Sequence, residues 1–234
     1  MASGEVRQVL EGSDDQASER EATAQFVLNL RGRGIGNLDV LRAMESVARR
    51  HFVPHHYRDL ANRDLAIPIS CGQTMPAPWL AARMAEALDL GGRERVLEIG
   101  TGSGYVTAIL ARLAGHVVSI ERYQSLTLAA RTRLAHLRAD NAEVHWADGL
   151  TLTGATGSFD RIIIHAVMTG APTSFLPLLK QGGHMMFARN IASHGLQPWQ
   201  RLVTLSRNSA GEIAEIDICD CHLRPLTPGK SAEL

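Results

Sequence analysis

The stretch RVLEIGTGSGYVTAILARL, Arg95 to Leu113, decides the fold. An apolar run of strand length enters three alternate glycines, Gly100, Gly102 and Gly104, and continues as a helix. Glycines between a strand and a helix let the backbone turn sharply and let a ligand approach where side chains would block it. The dinucleotide fingerprint Gly-x-Gly-x-x-Gly does not fit, because its third glycine falls on Tyr105, or on Thr107 when counted from Gly102.

Downstream of this loop strands and helices alternate. Strands are predicted at 95–99, 116–121, 143–147 and 159–165, and at 183–188 after a helix near 173–180. Such alternation makes an α/β fold with a doubly wound, mostly parallel sheet. Beyond Trp199, β-rich runs at 200–206 and 213–221 flank the turn Asn208-Ser209-Ala210-Gly211 and predict an antiparallel hairpin at the sheet edge. Upstream, the pattern is helical. Ser18-x-x-Glu21 reads as a capping box opening a helix with Phe26, Val27 and Leu30 on one side, which stops at Gly32 and Gly34. A second helix starts near Asn37, carries Leu38, Leu41, Met44 and Val47 at helical spacing, and ends before Pro54. A third follows Pro78 with Trp79, Leu80, Met84 and Leu88, and closes at Gly91-Gly92. The expected organisation is a mobile polar tail over 1–17, an N-terminal helical segment over 18–90 that contributes to the substrate site, and a Rossmann-like catalytic domain over 91–234.

A chain of 234 residues, 45% of them hydrophobic, buries a full core as one large domain or a domain with an extension. Lys+Arg and Asp+Glu both count 24, so no basic excess exists to neutralise a nucleic-acid backbone, and no nucleic-acid partner is expected. No apolar run approaches the ~18 residues of a membrane span. The first 25 residues, with Ser13-Asp14-Asp15 and Glu19-Arg20-Glu21, lack the apolar core of a signal peptide, so a cytoplasmic protein without a membrane partner is expected. Cys71, Cys219 and Cys221 contain no Cys-x-x-Cys pair and read as reduced thiols. His51, His55 and His56 have no carboxylate or cysteine partner at ligand spacing, so they read as a solvated helix end and no metal is expected.

Acids at the strand ends choose the ligand. Glu98, just before the glycine loop, would repel a pyrophosphate and suits a cation such as a sulfonium. HVVSIER places Glu121 at the end of the next strand, 121 − 100 = 21 positions after the first glycine, where an acid accepts both ribose hydroxyls. A third strand ends in WADG, whose Asp148 can accept from an adenine amino group. With Gly100, Thr101, Gly102 and Gly104 in the loop, and Arg122 and Gly149 beside the acids, these strand ends form a nucleoside site for which S-adenosyl-L-methionine is the best ligand. The alternative is a glycine turn that is only a tight connection.

At these residues the chain resembles the class I methyltransferases, and more narrowly the protein-L-isoaspartate O-methyltransferases. HFVPHHYRDLANRDLAIPISCGQTMPAPWLAARMAEAL (51–88) is similar to that family's stretch ahead of the glycine loop. VLEIGTGSGYVTAILARL, DG, FDRIII and a closing LRPLT (223–227) follow in family order, so the resemblance covers about 38 to 228. It implies a seven-stranded sheet of the class I methyltransferase type. It also implies methylation of the free carboxylate of isoaspartyl residues in damaged proteins or peptides, whose ester closes to a succinimide that hydrolyses partly to aspartate. Gln73, Thr74, Met75 and Arg224 are then the candidate substrate contacts, and a monomer or homodimer is the expected assembly. Where the family usually reads Gly-Gln-Thr-Ile-Ser, this chain reads Gly72-Gln73-Thr74-Met75-Pro76, so Pro76 removes a hydroxyl and a backbone N–H and leaves Thr74 as the candidate donor.

His165 is the second departure, at a strand end where the family commonly has a small or hydroxyl residue. An imidazole there can orient a carboxylate or accept a proton from a less acidic nucleophile; the alternative is a histidine bonded to a neighbouring loop. Thr74 and His165 are therefore the candidate catalytic residues. Two rival functions stay open: a methyltransferase for a different small-molecule or peptide acceptor that His165 deprotonates, and a cofactor-binding protein without activity. The first helices and CHLRPLTPGK (221–230) flank the sheet in sequence and are expected to cover the crevice together.

Overall fold

The computed structural model of the chain describes residues 21–153, 157–170, 172–191, 199–208 and 212–232. The expected tail over 1–17, Ser18 of the capping box and residues 209–211 of the hairpin turn lie outside the described residues. Helix α1 (21–32) turns Phe26 and Leu30 into the core, and the chain leaves it through Gly34 at a φ of +92°. Helix α2 (Leu38–Ser46) begins where Asn37 Oδ1 accepts from the amides of Asp39 and Val40. Its buried stripe is Val40, Leu41, Ala43 and Met44, whereas Leu38 is 57% exposed. A spacing of three residues drifts by about 60° per step around a helix, so Leu38 is turned well away from Met44.

The second helix also stops earlier than expected. After Ser46 the chain runs through 3₁₀ turns at Arg49–His51 and His55–Leu60, with His51, His55 and His56 exposed on them. Arg49 is only 2% exposed, and its guanidinium donates to the carbonyls of Ala61, Leu65 and Pro76. Strands β1 (Ile67–Pro68) and β2 (Thr74–Met75) pair antiparallel across a turn in which Cys71 and Gly72 have φ of 60° and 63°. Helix α3 (Pro78–Ala87) carries proline at its first position, where no intrahelical N–H is needed. It buries Ala81, Ala82, Met84 and Ala85, and leaves Trp79 and Leu80 half-buried.

Strand β3 (Arg95–Ile99), helix α4 (Tyr105–Leu113), strand β4 (His116–Glu121), helix α5 (Gln124–His136) and strand β5 (Ala142–Trp146) follow in turn. Then come β6 (Phe159–Met168), β7 (Leu179–Ile191), β8 (Trp199–Arg207) and β9 (Ile213–Cys221). They build a seven-stranded sheet in the order β5-β4-β3-β6-β7-β8-β9. β3 to β7 pair in parallel, and β8 and β9 add antiparallel, so the expected sheet and edge hairpin are both present. β3, β4 and the middle of β6 are buried on both faces, which is why they read as near-continuous Val, Ile and Leu runs.

One predicted helix is absent. The segment near 173–180 is a 3₁₀ turn, Thr173–Leu178, and β7 already starts at Leu179. Pro177 lacks a donor and disfavours α geometry in Leu176 before it, so a full helix cannot close here. The helices α1 to α4 pack on one sheet face against Val96, Val117, Val144 and Ile163. Phe175 and Leu178 of the 3₁₀ turn help cover the other face, over Leu97, Ile99, Ile162 and Ile164. Among the described residues no helix is long and apolar enough to cross a membrane.

Candidate active site

From β3 the chain moves to β4 on one side and later returns to β6 on the other, so the crevice at the carboxyl ends of β3 and β6 is the switch point of the sheet. Gly100, Gly102 and Gly104 follow β3 with φ of +95°, +56° and +87°, in the left-handed region that side chains rarely adopt. A Cβ on Gly100 would also lie 3.3 Å from the His165 Cβ, and one on Gly104 3.2 Å from the Ala130 Cβ. The loop is therefore glycine by conformation and by contact.

Two clefts meet at this loop. The larger, about 280 Å³, is walled by Gly72, Tyr123, Gly149 and Arg224 among others. The smaller, about 70 Å³, reaches from Gly102 and Tyr105 to Thr74 and Pro76. Gln73, Gly100, Glu121 and His165 line both. Hollows of about 530 Å³ beside Arg49 and about 610 Å³ beside Gly91 touch neither the glycine loop nor these side chains.

The three predicted acids have different fates. Glu121 is 4% exposed and stays in the crevice: Oε2 accepts from the Gly102 amide at 2.8 Å and Oε1 from the Tyr123 amide at 3.0 Å. Burial pushes its carboxyl above the ordinary range, and the charge of Glu98 adds to the rise. The carboxylate keeps acceptor capacity for a ligand hydroxyl. Glu98, expected to meet a cationic ligand, is instead sealed under the loop at 0% exposure. Its Oε2 accepts from Thr107 Oγ1 (2.5 Å) and Ser119 Oγ (2.6 Å), and its Oε1 pairs with His165 Nε2 (2.9 Å). Thr101 Oγ1, 2.5 Å from Ser119 Oγ, links the glycine loop to the same network. Asp148, expected to accept from adenine, lines neither cleft: Oδ1 accepts from the Leu150 amide and Oδ2 from the Gly229 amide, so it pins the C-terminal segment.

Gly149 and Arg122 do line the larger cleft. A Cβ on Gly149 would lie 2.7 Å from Ile99 Cγ2, and the Arg122 guanidinium donates to the carbonyls of Gly229 and Pro228. Of the substrate candidates, Thr74 is exposed at the smaller cleft, and Gln73 Nε2 donates to the Cys71 carbonyl. Met75 is buried in the core and serves as wall. Arg224 is exposed at the larger cleft, held there by its carbonyl accepting from the Val167 amide at 2.9 Å. The C-terminal segment thus covers the crevice as expected, but among the described residues α1 and α2 line neither cleft, and of the N-terminal part 72–76 reach the site. Sequence reasoning missed Ser119 and Thr107. A single hydroxyl within an apolar strand and another within an apolar helix were the available signals.

The match to known proteins is broad. Residues 21–231 match the model of the family described as protein-L-isoaspartate(D-aspartate) O-methyltransferase. A Nitrobacter winogradskyi protein-L-isoaspartate O-methyltransferase is 46% identical over 210 residues, covering 89% of this chain and 94% of that one. A Rhodopseudomonas palustris protein-L-isoaspartate O-methyltransferase 2 is 44% identical over 209 residues, again 89% and 94% of the two chains. In fold, the chain is similar at a TM-score of 0.74 and 22% identity to a Plasmodium falciparum protein described as a protein-L-isoaspartate O-methyltransferase, crystallised with S-adenosyl-L-homocysteine, over 87% of this chain and 97% of that one. The glycine loop at the switch point, Glu121 in the crevice and this extent of matching agree: the chain belongs to the protein-L-isoaspartate O-methyltransferase family.

Proposed function

We propose that the chain methylates the free carboxylate of isoaspartyl residues in damaged proteins or peptides, using S-adenosyl-L-methionine. The observation that carries this reading is Glu121 lining both clefts beside the bare backbone of Gly100 and Gly102, inside a family match that spans 21–231. When bound, the cofactor supplies an electrophilic methyl group on a cationic sulfur. Glu121 and the glycine loop are suited to hold its ribose and amino-acid parts, with Gly149 and Arg122 lining the same cleft as Glu121.

An acceptor carboxylate titrates near ~3.5 and is ionised at neutral pH, so the site needs no base to activate it. Its task is alignment, which alone supplies about 7–11 kcal/mol of barrier lowering in well-oriented reactions. The Thr74 hydroxyl and the Gln73 amide stand at the smaller cleft, and the Arg224 guanidinium at the larger. Those groups are proposed to hold the substrate. A cytoplasmic setting is proposed too, supported by Cys71, Cys219 and Cys221 being free thiols.

Methyl transfer from labelled cofactor to an isoaspartyl peptide, run beside its normal aspartyl twin, tests the reading. Label in the isoaspartyl peptide alone is expected. Equal labelling of both peptides, or none in either while S-adenosylhomocysteine still binds, would overturn it.

A further inference from the structure

We propose that His165, backed by Glu98, becomes an imidazolium as the substrate carboxylate arrives at its Nδ1, so that substrate binding takes up a proton. The inference rests on the isoaspartyl reading above. Glu98 is an acceptor by geometry: two hydroxyls, Thr107 and Ser119, end on Oε2, and Ser119 is itself backed by Thr101. Its remaining partner is His165 Nε2 on Oε1, and no lysine or arginine side chain bonds it among the described residues. A sealed carboxylate without a cation is costly, and among the described residues His165 is the one bonded partner that can supply a positive charge.

The rest of the ring borders the crevice. His165 side-chain exposure is 11%, the ring lines both clefts, and no group among the described residues bonds Nδ1. A neutral ring that donates Nε2–H to Glu98 would present a bare lone pair above a buried negative charge. Both features repel an incoming carboxylate. Protonated at Nδ1, the Glu98–His165 pair is neutral as a whole and offers an N–H donor at the junction of the clefts. A proton-abstracting role fits less well, since an ionised carboxylate has no proton to surrender. The other titratable groups around the ring are Glu121 on β4, Tyr105 on α4, and Arg122, Tyr123 and Arg224 at the rim. The glutamate favours the added charge and the arginines oppose it. His165 is thereby a substrate-binding residue, and Glu98 a positioning residue that acts through it.

The test uses the full chain loaded with S-adenosylhomocysteine and titrated with an isoaspartyl peptide. Calorimetry at pH 8 in phosphate and in Tris, whose ionisation heats differ, counts the protons taken up. Wild type should bind the peptide with uptake of a proton, and its KM should rise from pH 6 to 8.5, the range in which histidines titrate, while kcat changes little. His165→Asn keeps a hydrogen-bonding group without the charge. It should raise KM at pH 6.5 by about 10- to 150-fold, the factor for a hydrogen bond to a charged group, abolish the uptake and flatten the KM profile. Glu98→Gln should also abolish the uptake, and if it fails to fold the asparagine variant still decides. A wild-type KM that is flat with pH, or heats identical in the two buffers, overturns the inference while leaving isoaspartyl methylation standing. A wild-type protein that neither binds nor methylates the peptide at any pH takes down both.

Discussion

Glu98 and Glu121 differ in function because they stand at different depths along the same face of the sheet. Glu121 is the last residue of β4 and opens into the crevice, whereas Glu98 precedes the last residue of β3 and turns toward Thr107 of α4. In the parallel register Glu98 lies beside Ser119, and Glu121 stands two residues further along the same face, past the end of β3, so two residues of strand separate a crevice-lining acid from a buried brace. Glu121→Ala should weaken S-adenosylhomocysteine binding by about 1.5–3 kcal/mol, the range for hydrogen bonds to a charged group, as read by calorimetry. Unchanged affinity would remove Glu121 from the cofactor site. Both acids were legible in the sequence as strand-end carboxylates; how deep each sits was not, because that depends on the register between the strands.

Among the elements, α3 is clamped to the start of α2 by one of its own side chains. Glu86 Oε1 accepts from the Gly36 and Asn37 amides at 2.8 and 2.9 Å, and its other oxygen pairs with Arg83. It thereby clamps the start of α2 against α3. Burial works to raise the Glu86 carboxyl, but the Asn37 and Gly36 amides and Arg83 outweigh it and hold the group below its ordinary 4.5. A depressed folded value stabilises the protein above the unfolded value and is lost as pH falls through the folded one. Glu86→Ala should cost about 1–3 kcal/mol at pH 7, or about 2–4 °C per kcal/mol in the melting temperature. That deficit should shrink as the pH is lowered from about 5 toward 3. A deficit that stays constant over this interval would show that the clamp is not electrostatic. Helix α3 itself was legible from Pro78 and its apolar spacing. The 3₁₀ turn at Thr173–Leu178 was misread as a helix because the apolar pattern outweighed Pro177.

Over the whole molecule, the C-terminal segment ties the two ends of the crevice together. Gln200 exchanges hydrogen bonds with the backbone of Leu223, Leu226 donates its amide to the Val167 carbonyl, and Gly229 and Ser231 are held by Asp148 and the Arg122 carbonyl. Ending the chain after Asp220 removes Arg224 and the roof of the larger cleft, and should abolish isoaspartyl methylation while far-ultraviolet circular dichroism keeps its α/β signature. Full activity in that truncation would show that the segment only decorates the site.

The order of strands and helices around Arg95–Leu113 and the glycine loop were set by local rules: burial on both sheet faces demands apolar runs, and positive φ demands glycine. Those rules act over a few residues, so the sequence alone determined the sheet, the cofactor class and the resemblance to a family. The partners of each polar group were decided by tertiary structure. Glu98 meets His165 across 67 positions, and Arg49 meets the Pro76 carbonyl across 27. Asp148 meets the Gly229 amide across 81. None of these pairings has a local signature, since a hydrogen bond depends on distance and direction in space, which only the folded sheet and its crossovers specify.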